Sequence, residues 1–296
     1  MNHLEELGRR ITRLAGDEPG PLWVKDVMVF ASEHMTTSLG TVTEPMLAVV
    51  VQGAKRTALG DHVFEHHPGQ VAVVTVALPL TGQVIRASRS EPFLALGMRL
   101  HPATIAQLLV DYGPTDIPRH DGPGMAISDA DDNLLDALVR LMRLMEDPRG
   151  LRALGAGVRR EIHWWLLNGP QAPLIKQAGM ADSRLALVAR AIAWIRSRYD
   201  QVIRIDDLAS HVGASVSSLN RHFRAVTAMS PLQYQKQIRL QKARIALITA
   251  PNDVAAIGYA VGYDNPSQFS REYRRMFGAP PGQDAARLQT MTIVQE

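Results

Sequence analysis

The chain of 296 residues contains no cysteine, and only 5% of its residues are aromatic. Without cysteine it can form no disulfide bond, perform no thiolate chemistry and bind no zinc through thiolates. No apolar run approaches the ~18 residues that mark a membrane-spanning helix, and the first residues lack the basic and apolar pattern of a signal peptide. These absences predict a globular, cytoplasmic protein that does not enter a membrane.

The net charge of +3 is distributed unevenly along the chain. From Ser183 to the C-terminus there are 15 Lys and Arg against 8 Asp and Glu, which leaves 17 against 21 for the residues before Ser183. An acidic first part and a basic second part predict two domains, the second of which faces a polyanion. The alternative is a chance clustering of charge on a solvated surface.

Composition and periodicity place the domain boundaries. The segment 168–183, "NGPQAPLIKQAGMADS", has two Gly, two Pro and no clear period, which predicts a linker. Before it, "MLAVVVQG" and "QVAVVTVALPL" have strand character. After His101 the apolar residues recur at helical spacing, as in "SDADDNLLDALVRLMRLMED". Ser128 or Asp129 can cap the start of this helix. The sequence therefore predicts a domain over 20–167, a small barrel or sandwich followed by helices, and an all-α domain over 184–290.

Two stretches of the second part, about 205–227 and 254–277, repeat one pattern. In each, an amphipathic helix is followed by a Gly and then by a second helix with apolar residues along one side. The offset is 49 residues between Gly213 and Gly262 and 50 residues between Arg221 and Arg271. This order is that of the helix-turn-helix motif, whose second helix enters the major groove of DNA.

The segment between the two repeats, "PLQYQKQIRLQKARIALIT", predicts a linker helix that begins at Pro231. Its 19 residues correspond to a rod of about 28 Å. One turn of B-DNA measures about 34 Å. A helix of this length could hold the two second helices in successive major-groove segments on one face of DNA.

These residues also carry a resemblance to a known family. The stretches "LASHVGASVSSLNRHFRAVTAMSPLQYQKQIRLQKARIAL" and "VAAIGYAVGYDNPSQFSREYRRMFGAPP" resemble the DNA-binding domain of the AraC/XylS transcriptional regulators over about 184–285. The pieces "VVQGAKRTALGD" and "LPLTGQVIRASRSEPFLALGMRL" are similar to the N-terminal domain of AraC-type proteins over about 25–170. The fold implied is α+β: an N-terminal cupin-like β-barrel with trailing helices, then an all-α C-terminal domain with two helix-turn-helix motifs joined by a linker helix.

The resemblance implies a transcriptional activator or repressor, not an enzyme, that binds double-stranded DNA sequence-specifically. Its N-terminal domain is expected to bind a small-molecule effector or to form a homodimer through 129–167, and an activator would also contact RNA polymerase. Position by position, the resemblance implies these DNA contacts: Ser217, Asn220, Arg221, Arg224, Ser267, Gln268, Arg271, Arg274 and Arg275. The chemistry agrees, because Arg can bind guanine, and Asn or Gln can bind adenine, through two hydrogen bonds.

Other functions of the N-terminal domain stay open. The segment "GDHVFEHHPG" brings together His62, Glu65, His66 and His67, residue types that bind zinc, iron or manganese. An alternative is therefore a metal-dependent cupin enzyme fused to a DNA-binding module, and another is a domain that only dimerises. The usual metal-cupin spacing is absent, and the turn residues predict a solvated hairpin. The sequence thus predicts neither a metal ion nor a cofactor.

Overall fold

The computed structural model describes residues 2–16, 20–113, 120–250 and 253–293. The chain divides into two compact units, Met1–Ala189 with Ala225–Ala228 and Arg190–Arg224 with Met229–Glu296. The first unit combines strands with helices, and the described part of the second consists of helices and turns. The predicted α+β class is confirmed.

The strands of the first unit form two antiparallel sheets. Their bounds are β1 Gly20–Val24, β2 Val27–Ser32, β3 Leu39–Thr43, β4 Met46–Gln52, β5 Ala54–Leu59, β6 His62–His66, β7 Gln70–Val74, β8 Leu78–Arg86, β9 Phe93–Arg99 and β10 Met125–Asp129. The six-stranded sheet has the order β1-β2-β9-β4-β7-β10, and the four-stranded sheet has the order β3-β8-β5-β6. The sheets are not closed into a barrel, so this detail of the prediction is wrong. Backbone hydrogen bonds between strands are formed within each sheet, so β1 and β10 are the edge strands of the first sheet and β3 and β6 those of the second.

Helices cover one face of the six-stranded sheet. Alternation along β4 directs Leu47 and Val49 toward these helices, where they share a buried cluster with Leu7 and Leu138. Val50 belongs to a different buried cluster on the opposite face. The helices that contribute to the first cluster include α1 His3–Ala15, α2 Pro102–Tyr112, α3 Asp132–Met145 and α4 Pro148–Asn168.

Helix α1 is absent from the elements that the sequence patterns predicted. Its Leu7 and Ile11 are fully buried. The Glu6 carboxylate accepts hydrogen bonds from Arg143 of α3 at 2.8 Å and from Arg10 at 2.9 Å. The Arg143 hydrogen bond is the main cause that lowers the pKa of Glu6 to about 2, against the opposing effect of burial. An ion-pair network thus fastens α1 to α3.

The predicted linker 168–183 contains a short helix, α5 Ala172–Ala178. Leu174 and Ile175 are buried, and Gln171 Nε2 donates hydrogen bonds to the Val71 carbonyl at 2.9 Å and to Ser128 Oγ at 3.0 Å. This segment therefore packs on the first unit. The predicted boundaries at 167 and 184 stay predictions.

Capping residues set the helix ends. Helix α3 begins after Asp131, whose carboxylate accepts a hydrogen bond from the Asn133 backbone N–H at 2.8 Å, so the cap predicted at Ser128 or Asp129 lies two or three residues too early. The later helices are α6 Arg184–Ser197, α7 Ile205–Val212, α8 Val216–Thr227, α9 Pro231–Thr249, α10 Val254–Ala260, α11 Pro266–Phe277 and α12 Pro281–Ile293. Within the described residues, none of the helices has both the length and the apolar character needed to cross a lipid bilayer.

Candidate nucleic-acid interface

Helices α7 and α8 form the first helix-turn-helix motif. Leu208 and Val212 of α7, and Leu219 and Phe223 of α8, are buried. On each helix the two residues are four positions apart, so they share one face. The opposite face of α8 is left for polar residues.

The turn between these helices follows the predicted pattern. Gly213 has φ 71° and ψ 40°, the left-handed conformation that ends a helix. Ser215 Oγ accepts a hydrogen bond from the Ser218 backbone N–H at 3.2 Å and so caps the start of α8. The Gly turn predicted from the repeat is confirmed at Gly213.

Helices α10 and α11 form the second motif. Asn265 Oδ1 accepts hydrogen bonds from the backbone N–H groups of Ser267 at 2.8 Å and Gln268 at 3.2 Å, which fixes the start of α11. Phe269 is fully buried. A Cβ at Gly258 would lie 3.0 Å from the Phe269 ring, so the two helices approach each other closely.

Helix α9 joins the second motif to the chain that precedes the first. Arg239 Nη1 donates a hydrogen bond to the Gly262 carbonyl at 2.6 Å, and Arg239 Nε donates to the Tyr199 carbonyl at 2.6 Å. Gln235 Nε2 donates to the carbonyls of Tyr199 at 2.9 Å and Gln201 at 2.7 Å. Two polar side chains of α9 thereby position the turn of the second motif and the chain end that follows α6.

Glu272 of α11 organises a second network. Its carboxylate accepts hydrogen bonds from Lys236 Nζ at 2.8 Å, Tyr263 Oη at 2.8 Å and Gln268 Nε2 at 3.4 Å. Burial opposes ionisation, yet the hydrogen bonds from Lys236, Tyr263 and Gln268 hold the pKa of Glu272 below its ordinary value. The ionised carboxylate therefore ties α11 to α9 and orients the Gln268 amide.

The candidate DNA-contacting residues lie on α8 and α11, and most of them face solvent. Those exposed are Ser217, Arg221, Arg224, Ser267, Gln268, Arg271, Arg274 and Arg275. Asn220 is half-buried, and its Nδ2 donates a hydrogen bond to the Val216 carbonyl at 3.0 Å. This bond uses one of the two N–H groups with which the Asn220 amide could contact a base.

The arginine side chains of this set have no hydrogen bond or ion pair to any described residue; they are Arg221, Arg224, Arg271, Arg274 and Arg275. Arg244 in the same unit behaves differently, because its Nε lies 2.8 Å from Asp284 Oδ2. Residues three or four positions apart share a helix face, so the arginines form one cationic row on α8 and another on α11. Such rows can bind an anionic partner. Sequence patterns did not single out Arg239 or Glu272, whose roles depend on contacts across the fold.

The histidine-rich hairpin does not assemble a metal site. Arg56 and Glu65 pair at 2.6 Å, whereas His66 is buried and only 5% exposed. Within the described residues, no group of three or more His, Asp and Glu is placed to hold a metal ion. The predicted solvated hairpin is therefore wrong at His66.

Comparison with known families decides the identity of the chain. The family described as "AraC-type transcriptional regulator N-terminus" matches residues 23–174, half of the chain. The chain belongs to the AraC-type transcriptional regulators. A helix-turn-helix domain family matches residues 208–287, which include α8, α9, α10 and α11.

Curated relatives of this AraC-type protein match over part of their length. The HTH-type transcriptional regulator ArgR of Pseudomonas aeruginosa is 29% identical over 144 residues, which are 49% of this chain and 44% of ArgR. The HTH-type transcriptional activator RhaS of Escherichia coli is 28% identical over 151 residues, which are 50% of this chain and 53% of RhaS. The chain thus spans about half the length of the curated relatives it matches.

Solved structures of ToxT from Vibrio cholerae share the fold. ToxT bound to (E)-4-(8-methylnaphthalen-1-yl)but-3-enoic acid superposes with a TM-score of 0.57 at 10% identity, covering 88% of this chain and 98% of ToxT. ToxT bound to an unsaturated fatty acid superposes with a TM-score of 0.54 at 10% identity, covering 88% and 95%. At this identity the likeness concerns the fold of the AraC-type chain.

Proposed function

We propose that this AraC-type protein is a sequence-specific DNA-binding regulator of transcription, in which α8 and α11 enter two successive major-groove segments. The observation that carries the proposal is the pair of exposed arginine rows on α8 and α11, which have no partner among the described residues. A permanent cation on an exposed helix face can bind a phosphate or the edge of a guanine.

The side chains divide by the contact that each can make. On α8, Ser217, Asn220 and Arg221 contact base edges, and Arg224 contacts a phosphate or a base. On α11, the corresponding base contacts are Ser267, Gln268 and Arg271, while Arg274 and Arg275 contact phosphates. Asn220 and Gln268 keep free amide atoms beside the bonds that orient them.

Helix α9 is the spacer between the two recognition helices. Its 19 residues amount to a length of about 28 Å. The hydrogen bond between Arg239 and Gly262 anchors the second motif directly to α9. Such a spacer fits two contacts about one turn of DNA apart.

The N-terminal domain, 20–167, is the regulatory part in this proposal, 168–183 is the linker and 184–290 binds DNA. A small-molecule effector would bind in the N-terminal domain; ToxT, which shares the fold, binds an unsaturated fatty acid in one of its structures. A homodimer would form through 129–167. Activation would require contact with RNA polymerase in the cytoplasm, and RhaS is an activator by name.

Selection of bound duplexes from a random DNA library, with the full chain at near-physiological salt, tests this function. We expect enrichment of two short elements whose centres are about 10–11 base pairs apart. Enrichment of one element only would mean that a single motif reads sequence. Salt-sensitive binding to all duplexes without enrichment would contradict the proposal.

A further inference from the structure

Glu272 of α11 lies one helical turn after Gln268, a candidate base contact. The two residues are four positions apart, so their side chains share one face of the helix. Gln268 is exposed, whereas the Glu272 side chain is only 14% exposed. The carboxylate therefore lies on the protein side of the Gln268 amide, where it is largely shielded from a bound duplex.

The position of the Glu272 carboxylate is fixed without the help of Gln268. Its Oε1 accepts a hydrogen bond from Lys236 Nζ at 2.8 Å, and its Oε2 accepts one from Tyr263 Oη at 2.8 Å. Tyr263 is itself buried, and its ring packs against the Phe269 ring with a centroid distance of 5.3 Å. A side chain whose partners are packed in this way can hold a second residue in one orientation.

The Glu272 carboxylate is ionised at neutral pH. Burial opposes ionisation, but hydrogen bonds from Lys236, Tyr263 and Gln268 keep the pKa of Glu272 below its ordinary value. An ionised carboxylate accepts hydrogen bonds and cannot donate one. A polar group that contacts it must therefore turn a donor toward it.

This requirement selects one of the two orientations of the Gln268 amide. Gln268 Nε2 donates to Glu272 Oε1 at 3.4 Å. Turning the amide over would place Gln268 Oε1 against the carboxylate, so that two acceptors would face each other without a hydrogen atom between them. The amide therefore keeps Oε1 and one N–H free. One acceptor and one donor form the pattern that pairs with N6 and N7 of adenine.

The first motif lacks this arrangement. At the repeat offset of 50 residues, Gln268 corresponds to Ser218 and Glu272 corresponds to His222. Neither of these residues has an amide or a carboxylate side chain. Selection of an amide orientation at this pair of positions is therefore a property of α11, and the two motifs should differ in the bases that they read.

We propose that Glu272 is a positioning residue that sets the base specificity of α11: by holding the Gln268 amide in one orientation, it makes this helix prefer adenine at the base pair that Gln268 contacts. Glu272 acts through Gln268 and contacts no base itself. This inference rests on the proposed DNA-binding function and names one base of the site. Without the carboxylate the amide can turn over, and its N–H groups can also face the acceptors of guanine, so the preference for adenine is lost.

The test compares the full-length wild type with Gln268→Ala, Glu272→Gln and the variant that carries both substitutions. Glu272→Gln keeps the size of the side chain and removes the charge that selects the amide orientation. Asp264→Asn is the matched control, because it also removes one negative charge close to α11. The Asp264 side chain is exposed and has no hydrogen bond or ion pair to any described residue.

Duplex selection with the wild type and Gln268→Ala first identifies the base pair at which this variant loses its preference. Fluorescence anisotropy then measures binding to four duplexes that differ only at this base pair. We expect the wild type and Asp264→Asn to prefer adenine there. Glu272→Gln should lose this preference by about 5-fold or more, the lower end of what a paired contact contributes.

Two further readouts separate positioning from a structural role. Glu272→Gln should keep the wild-type preferences at the other base pairs of the site. In the Gln268→Ala background, Glu272→Gln should have no further effect on base preference, because the two residues act as one unit. A loss of preference at all base pairs alike, or an effect that persists in the Gln268→Ala background, would overturn the proposal.

The proposal is also overturned if Glu272→Gln keeps the full preference for adenine, if Gln268→Ala loses preference at no base pair, or if the preferred base there is not adenine. In each of these cases the wild type still selects a site with two elements, so the proposed DNA-binding function stands. If the wild type selects no such site, the DNA-binding function itself fails, and the role of Glu272 fails with it.

Discussion

Arg239 of α9 and Gly262 of the second turn are joined by a hydrogen bond of 2.6 Å from the guanidinium to the backbone carbonyl. The same guanidinium reaches the Tyr199 carbonyl at 2.6 Å and the Gln201 carbonyl at 2.8 Å. One side chain therefore holds together two segments that are separated by 60 residues of sequence.

Replacing Arg239 should weaken this unit. Arg239→Met leaves three carbonyls without their charged donor and should lower the free energy of unfolding by at least about 2 kcal/mol. Lys242→Met, on the same helix and exposed, is the control and should change stability little. Thermal unfolding of the three proteins measures the difference, and equal stability of Arg239→Met and wild type would contradict the anchoring role.

The two turn glycines should tolerate alanine differently. Gly213 (φ 71°) and Gly262 (φ 93°) both adopt positive φ, but a Cβ at Gly213 meets nothing within 4 Å, whereas one at Gly262 would collide with the Asp200 carbonyl oxygen. Gly213→Ala should therefore lower the free energy of unfolding only by the penalty for alanine in the left-handed conformation, about 1–2 kcal/mol. Gly262→Ala should lower the free energy of unfolding, measured by urea denaturation, by clearly more than Gly213→Ala does. A smaller loss of unfolding free energy for Gly262→Ala than for Gly213→Ala would contradict the close approach of Gly262 to the Asp200 carbonyl oxygen.

The ion pair between Glu6 and Arg143 should make stability depend on acid pH. The pKa of Glu6 in the folded protein is about 2, below the ordinary value of 4.5, so its stabilisation is fully present above pH 4.5 and is lost as pH falls through 2. The stability difference between wild type and Glu6→Gln should be constant near neutral pH and shrink toward pH 2. Chemical unfolding at several pH values measures it, and a difference that grows on acidification would contradict the assignment.

Arg275 should act on DNA through charge alone. If it contacts a phosphate, Arg275→Ala should weaken binding to all duplexes alike and reduce the slope of log K against log salt by about one. Arg287→Ala removes an exposed arginine of α12, outside the recognition helices, and should leave the slope unchanged. A change of base preference in Arg275→Ala, measured by anisotropy on duplexes that differ in one base pair, would instead make it a base contact.

Local signals were sufficient to predict the helix-turn-helix motifs. The Gly turn and the apolar side of the second helix in each repeat depend on neighbouring residues along the chain, and the structure confirms them at Gly213, Gly262 and Phe269. The residue that anchors the second motif to the chain end after α6 was not predictable in this way, since Arg239 finds its partners at Tyr199 and Gly262 only after folding.

Strand partners and inward faces could not be predicted from alternation. Alternation shows that His62 and His66 share a side but does not say which side is buried. His66 is buried on the side of the hairpin that it shares with Lys55 of β5, and the two-sheet arrangement follows from hydrogen bonds between strands distant in sequence. Helix α1 does have a local signal, because Leu4, Leu7, Ile11 and Leu14 recur at helical spacing.

The repeat-equivalent arginines Arg221 and Arg271 test the central claim most directly. Duplex selection is performed with wild type, Arg221→Ala, Arg271→Ala and the control Arg287→Ala. We expect the control to select the wild-type site. Each recognition-helix variant should lose base preference at one position, Arg221→Ala in one of the two elements and Arg271→Ala in the other. Each should also bind the wild-type site about 1–3 kcal/mol more weakly. Unchanged affinity and site in both recognition-helix variants would contradict the assignment of α8 and α11 as the helices that read DNA.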